Sequence, residues 1–183
     1  MAKQILILNG TSRKKGNTAA LTASFRKGAE EKGHKVQEIF VDDLTINSCV
    51  GCNQCTKRGA EPNPCIQKDD MIKVYEGFNG ADIIVLASPI YYWAITGALK
   101  TVVDRTYALS HSNGGIMPKK DVAFIAAAAS DEFDEVVTWY NVVTNYLQWN
   151  RRGMVLCDDV VNVGDAQARE DKLKEAYELG ISL

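Results

Sequence analysis

Residues 9–18, Asn-Gly-Thr-Ser-Arg-Lys-Lys-Gly-Asn-Thr, bring two glycines, hydroxyl and amide side chains and three cations into one short segment. The segment lies between an apolar run, Gln4 to Leu8, and a helix-like stretch, Thr18 to Lys32. A turn of this kind leaves free backbone N–H groups at the positive end of a helix, where a phosphate can sit. Thr11, Ser12, Asn17 and Thr18 add side-chain donors, and Arg13 can grip a phosphate through two parallel hydrogen bonds.

The spacing narrows the choice of phosphate. Five residues separate Gly10 from Gly16 and Asn17 stands where a nucleoside-triphosphate loop needs lysine. The Gly-x-Gly-x-x-Gly pattern that a dinucleotide pyrophosphate approaches is absent. A hydroxyl-rich loop of this composition suits a terminal phosphomonoester such as that of FMN. The plainer alternative is a strand-to-helix turn capped by Thr or Asn.

A second segment, Ser88-Pro89-Ile90-Tyr91-Tyr92-Trp93-Ala94, follows another apolar run, Ile83 to Ala87. A flavin ring needs a flat apolar or aromatic surface with backbone groups facing its pyrimidine edge. Pro89, Ile90, Tyr91, Tyr92 and Trp93 could supply it, unless the aromatics serve the core or a subunit contact. Ala126 to Asp131, rich in small residues, would let backbone approach the edge of such a ring or pack tightly on a helix.

Both segments require strands that end beside them. Lys35 to Val41, Ile83 to Ala87, Asp121 to Ala127 and Met154 to Cys157 read as strands after the first, at Gln4 to Leu8. Helices are expected from Asp69-Asp70-Met71, over Thr96 to Tyr107, over Glu132 to Gln148 and over Asp165 to Gly180. Five strands alternating with helices make an α/β fold: a parallel sheet covered on both faces, a doubly wound three-layer sandwich. Order 2-1-3-4-5 puts the switch point between strands one and three, so one ligand should touch both segments.

The 183 residues suit one domain spanning 1–183, interrupted by a polar, cysteine-bearing insertion at about 44–69. The net charge is −2 with no basic stripe, which argues against nucleic acid. No apolar stretch reaches the ~20 residues of a bilayer span and no signal segment is visible, so the expectation is a cytoplasmic protein without membrane contact.

Gly10-Thr11-Ser12-Arg13-Lys14-Lys15-Gly16-Asn17-Thr18 resembles the phosphate loop of the NAD(P)H-dependent FMN reductase family, with Ser12 where proline is usual. Ser88-Pro89-Ile90-Tyr91-Tyr92, then Leu99-Lys100 and Val103-Asp104-Arg105, is similar to that family's second signature. Cys49-x-x-Cys52-x-x-Cys55, Cys65 and Asp69-Asp70-Met71 resemble the branch containing the iron–sulfur flavoproteins. The resemblance implies a flavodoxin-like fold, FMN, reduced nicotinamide (NADH or NADPH) as co-substrate, and a homodimer or homotetramer. Trp93, Trp139 and Trp149 are candidate contact residues, and Asp104 and Arg105 read as a structural pair near a helix end.

The cysteines admit several readings. Cys49, Cys52 and Cys55 recur every third residue and Cys65 follows nine residues after Cys55, a longer last gap than in the iron–sulfur flavoproteins. Four thiolates suit a [4Fe–4S] cluster, zinc takes the same donors, and free or reversibly oxidised thiols are the third option. Cys157 reads as a packing residue. The functional expectation is an FMN-dependent oxidoreductase that takes hydride from NAD(P)H and reduces a flavin, quinone or similar small acceptor. Hydride transfer to a flavin demands no side-chain acid or base, so none is assigned. The alternative is an electron carrier with a [4Fe–4S] cluster beside FMN.

Overall fold

The computed structural model describes residues 1–59 and 61–183. In chain order the strands are β1 (Gln4–Asn9), β2 (Lys35–Phe40), β3 (Ile83–Tyr91), β4 (Ala94–Ile95), β5 (Asp121–Ala127) and β6 (Asn150–Cys157). The helices are α1 (Asn17–Glu31), α2 (Met71–Gly80), α3 (Gly97–Arg105), α4 (Tyr107–Ser112), α5 (Asp134–Tyr146), α6 (Asp165–Ala168) and α7 (Glu170–Ser182). The parallel sheet runs β2-β1-β3-β5-β6, the expected order, and β1 lies between β2 and β3, with Ile7 beside Glu38 and Val85. A sixth strand, β4, pairs antiparallel with the end of β3. The five-strand expectation missed it.

Alternation within each buried strand feeds two cores. Ile5, Ile7, Ile83, Val85, Ala123 and Ile125 face the layer of α1 and α7. Leu6, Leu8, Ile84, Leu86, Val122 and Phe124 face that of α2, α3 and α5. On the first side α1 and α7 approach to backbone contact. A Cβ on Gly28 would stand 2.1 Å from the Tyr177 carbonyl oxygen, and one on Gly180 would stand 2.2 Å from that of Phe25.

Several boundaries differ from expectation for physical reasons. β6 begins at Asn150 rather than Met154, because its first residues, Asn150 to Arg152, are exposed at the sheet edge and carry no apolar signal. The helix expected over Thr96 to Tyr107 is interrupted at Thr106. There the Arg105 carbonyl accepts from Tyr75 Oη (2.9 Å), and the Leu109 N–H turns to Thr106 instead. Arg105 does not pair with Asp104, which binds Lys100 one helical turn away (2.6 Å). Trp149 is buried, donating to the Pro118 carbonyl (3.1 Å), and so belongs to the core rather than to a contact surface. Among the described residues no helix is long and apolar enough to cross a membrane.

The insertion is closed at its base. Thr45 N–H donates to Asp70 Oδ2 (2.9 Å), Asp70 N–H to the Thr45 carbonyl (3.1 Å), and Gln67 Nε2 to the Ser48 carbonyl (3.0 Å). Asp69 and Asp70, at the expected start of a helix, mainly tie these two legs together; only Asp69 also accepts the Met71 N–H (3.2 Å).

Candidate functional site

The loop after β1 is held from below by buried polar groups. Asn9 Nδ2 donates to Glu38 Oε1 (2.9 Å) and Thr22 Oγ1 (3.3 Å), and Asn9 Oδ1 accepts the Thr11 N–H (3.1 Å). Thr11 Oγ1 accepts the Arg13 N–H (3.2 Å), and the Gly16 N–H closes the turn on the Arg13 carbonyl (2.8 Å). The loop also docks on the start of α3: Thr96 Oγ1 donates to the Gly10 carbonyl (3.0 Å), and Ser88 Oγ accepts the Thr96 N–H (3.0 Å). A Cβ on Gly10 would stand 2.5 Å from Thr96 Oγ1, so only glycine permits this approach. Helix α1 starts after Gly16 with no side-chain cap, which leaves its first N–H groups for a ligand.

These features border a cleft of about 210 Å³ at the carboxyl ends of the strands. Thr11, Arg13, Gly16, Asn17 and Thr18 line one side, and Pro89, Ile90 and Tyr91 the other. Both expected segments therefore meet, at the switch point between β1 and β3. Ser12 is exposed on the same loop but is not part of the lining. The Asn17 amide is already committed, donating to the Asn162 carbonyl (2.9 Å) and accepting the Ala166 N–H (3.1 Å). Asn17 offers the cleft its backbone N–H. Ala127, Ala128 and Ala129 complete the floor, from the small-residue loop after β5. Val160, Val161 and Val163 also line the cleft and were missed. Their only sequence signal was an apolar cluster in a connection, two of whose members prove exposed. A larger groove, about 630 Å³, lies around Gln4, Lys35 and Ala81 at the opposite ends of the strands. It lacks a helix N-terminus and sits where ligands of such sheets do not bind.

Tyr92 and Trp93 do not line the cleft. They form the two-residue tip of the β3–β4 hairpin, with Tyr91 paired to Ala94. Trp93 Nε1 donates to Glu132 Oε2 (3.1 Å), while Tyr92 is 93% exposed. Both have positive φ, 48° and 60°, as two-residue hairpins demand and aromatic residues resist. Tyr92→Gly is expected to stabilise the fold by about 1 kcal/mol, the left-handed penalty it relieves. Urea unfolding measures this, and a loss of stability would mean that Tyr92 makes a contact worth more than its strain.

The four cysteines of the insertion line a single cavity together with Arg105 and Tyr107. Cys55 is buried, Cys65 half-buried, and Cys49 and Cys52 exposed. Burial pushes the Cys55 thiol above its ordinary value, and the neighbouring Cys65 and Cys52 push it further. Among the described residues no three such side chains stand close enough together to hold a metal ion. Four thiols are the donor type that an iron–sulfur cluster takes, but their placement here does not by itself form such a site. Arg105 seals one wall. Its guanidinium makes a two-point pair with Asp69 (2.8 and 3.1 Å) and donates to the Asn47 carbonyl (2.6 Å), and both charged side chains are almost fully buried. Helix α3 thus begins at the phosphate loop and ends at the cysteine cavity, a span of roughly 13 Å at 1.5 Å per residue.

Residues 4–150 match a family model described as NADPH-dependent FMN reductase. An iron–sulfur flavoprotein of Archaeoglobus fulgidus is 29% identical over 173 residues, covering 93% of this chain and 74% of its own length. Another, from Methanocaldococcus jannaschii, is 34% identical over 110 residues, or 60% of this chain. The aligned part is 54% of that protein, about half its length. The NAD(P)H:quinone oxidoreductase from Methanothermobacter marburgensis superposes with a TM-score of 0.72 at 16% identity, covering 99% of this chain and 96% of that one. That likeness shows the flavodoxin-like fold.

Proposed function

The chain belongs to the NADPH-dependent FMN reductase family, which makes it an FMN-dependent oxidoreductase, and we propose that it takes hydride from NADH or NADPH and passes electrons to a flavin, quinone or similar small acceptor. The observation that supports this most is the shared cleft. A helix N-terminus with free N–H groups, Thr11, Arg13 and Thr18 face the Pro89–Tyr91 segment across one opening. Thr11, Ser12, Arg13, Thr18 and the Asn17 backbone would hold the FMN phosphate. Pro89, Ile90 and Tyr91 would border the ring, with the Tyr92–Trp93 tip at its rim. Bound FMN supplies the hydride- and electron-accepting ring, so the protein's task is to position it and leave one face open. Arg13→Ala is expected to weaken FMN binding by about 1.5–3 kcal/mol, the worth of a hydrogen bond to a charged group. Fluorescence titration of the apoprotein reads this directly, and unchanged affinity would place Arg13 outside the phosphate site. Anaerobic titration with each nicotinamide tests the donor. A flavin that neither bleaches would remove the hydride step.

One observation favours a second reading: four cysteines line one cavity at the far end of α3. A [4Fe–4S] cluster held by Cys49, Cys52, Cys55 and Cys65 would then relay electrons to FMN. Iron and sulfide in anaerobically purified protein test it; flavin without iron would remove it. A homodimer or homotetramer and a cytoplasmic location belong to the same proposal. Exposed Tyr107, Val142 and Tyr146, beside the groove between α4 and α5, supply apolar surface for association.

A further inference from the structure

Beneath the phosphate loop, and outside the cleft, polar side chains of three elements converge on Glu38 of β2. Asn9, wholly buried at the end of β1, donates through Nδ2 to Glu38 Oε1 (2.9 Å). The Thr22 hydroxyl of α1, also buried, lies 2.9 Å from the same oxygen. One turn further along α1, Arg26 donates to the second oxygen, Oε2 (3.1 Å). The Glu38 side chain is only 12% exposed, so water competes little for these contacts.

The Asn9 amide carries this arrangement to the loop. Its two ends have nearly the same shape but opposite hydrogen-bonding character. A carboxylate only accepts, so Glu38 takes the Nδ2 end and leaves Oδ1 facing the Thr11 N–H (3.1 Å). Turned over, the amide would set Oδ1 against the carboxylate and its NH2 against an N–H. With Oδ1 in place the chain bends as an Asx turn, and Thr11 Oγ1 takes the Arg13 N–H (3.2 Å). Thr11 and Arg13 line the cleft, whereas Asn9, Thr22 and Glu38 do not.

We propose that Glu38 is a positioning residue for the phosphate site: by fixing the direction of the Asn9 amide it preorganises Thr11 and Arg13 for a phosphomonoester. The proposal rests on the FMN reading above. Its effect belongs to the phosphate end of the ligand, because the Pro89–Tyr91 side of the cleft is built on β3 and takes no part in the network. The acceptor at position 38 is what orients Asn9, and glutamine offers one as well.

Apoproteins of the wild type, Glu38→Leu and Glu38→Gln are titrated with FMN and with riboflavin, which lacks the phosphate. Wild type should prefer FMN. Glu38→Leu should lose about tenfold in FMN affinity, the equivalent of one hydrogen bond to a charged group, with riboflavin affinity unchanged. Glu38→Gln should bind FMN as the wild type does. Equal losses for both flavins, no loss in Glu38→Leu, or the same loss in Glu38→Gln overturns the proposal and leaves the FMN reading intact. Wild type that binds neither flavin, or does not distinguish them, overturns the phosphate reading and this proposal with it. Should Glu38→Leu fail to fold, isotope-labelled wild-type apoprotein decides alone. Scalar couplings across the hydrogen bonds should link Asn9 Nδ2 to Glu38 Cδ and Thr11 N to Asn9 Cγ, and the absence of either overturns the proposal.

Discussion

Arg105→Ala is expected to cost about 3–5 kcal/mol of folding free energy, the penalty for removing one partner of a buried ion pair. The side chains of Arg105 and Asp69 are 1% and 3% exposed, so water cannot replace the guanidinium. Asp69 would retain the N–H groups of Asn47 and Met71, too few to compensate a buried carboxylate. The pair joins residues 36 apart, α3 to the closing leg of the insertion, and Arg105 also holds the opening leg through Asn47. The cysteine loop should therefore become the preferred site of proteolysis in the variant.

The same pair sets a pH dependence. Burial raises the Asp69 carboxyl, but hydrogen bonds from Arg105, Asn47 and Met71 prevail and hold it below its ordinary value. A depressed folded-state value stabilises the protein above the ordinary carboxylate value of about 3.9, and that stability is lost as pH falls through the folded value. Urea unfolding of wild type and variant should differ most at neutral pH and converge in acid. A difference under about 1 kcal/mol at neutral pH, or one that pH leaves unchanged, would show that the pair is not what closes the insertion.

Gly28→Ala is expected to destabilise the protein by about 1–3 kcal/mol, as overpacking does. The sign is the informative part, since glycine to alanine inside a free helix gains about 1 kcal/mol. The added methyl would meet the Tyr177 carbonyl, a backbone group that can yield only if α7 shifts as a whole against α1. Gly180→Ala meets α1 at the same crossing, so the double variant should lose less than the sum of the singles. Urea titrations of the three variants measure this. Any stabilisation by Gly28→Ala would mean that the helices stand further apart.

Much of this protein is written locally. Continuous apolar runs at Ile5–Leu8 and Ile83–Ala87 read as short strands buried on both faces, and their alternation with helices implies the parallel order that the sheet adopts. The phosphate loop is legible for the same reason: strand, glycine-bearing turn and helix start are consecutive, so Thr11, Arg13 and Thr18 come to one cleft, although the distant Asn162 and Ala166 take the Asn17 amide. The cysteines at 49, 52 and 55 are legible as a motif for the same reason, but the structure does not bring three such side chains to one point among the described residues.

Other features depend on residues that meet only after folding. Nothing near Arg105 in the chain announces Asp69, and Lys100 takes Asp104, the partner its neighbourhood suggested. Val160, Val161 and Val163 join the cleft because β6 ends beside β5, not because of any motif. Tyr91, Tyr92 and Trp93 look alike in sequence, yet antiparallel pairing with β4 sends one to the cleft and the other two to a strained tip. Periodicity and turn chemistry act over a few residues and can be read along the chain. Charge pairing across an insertion, and the choice among adjacent aromatics, are settled by packing between segments tens of residues apart.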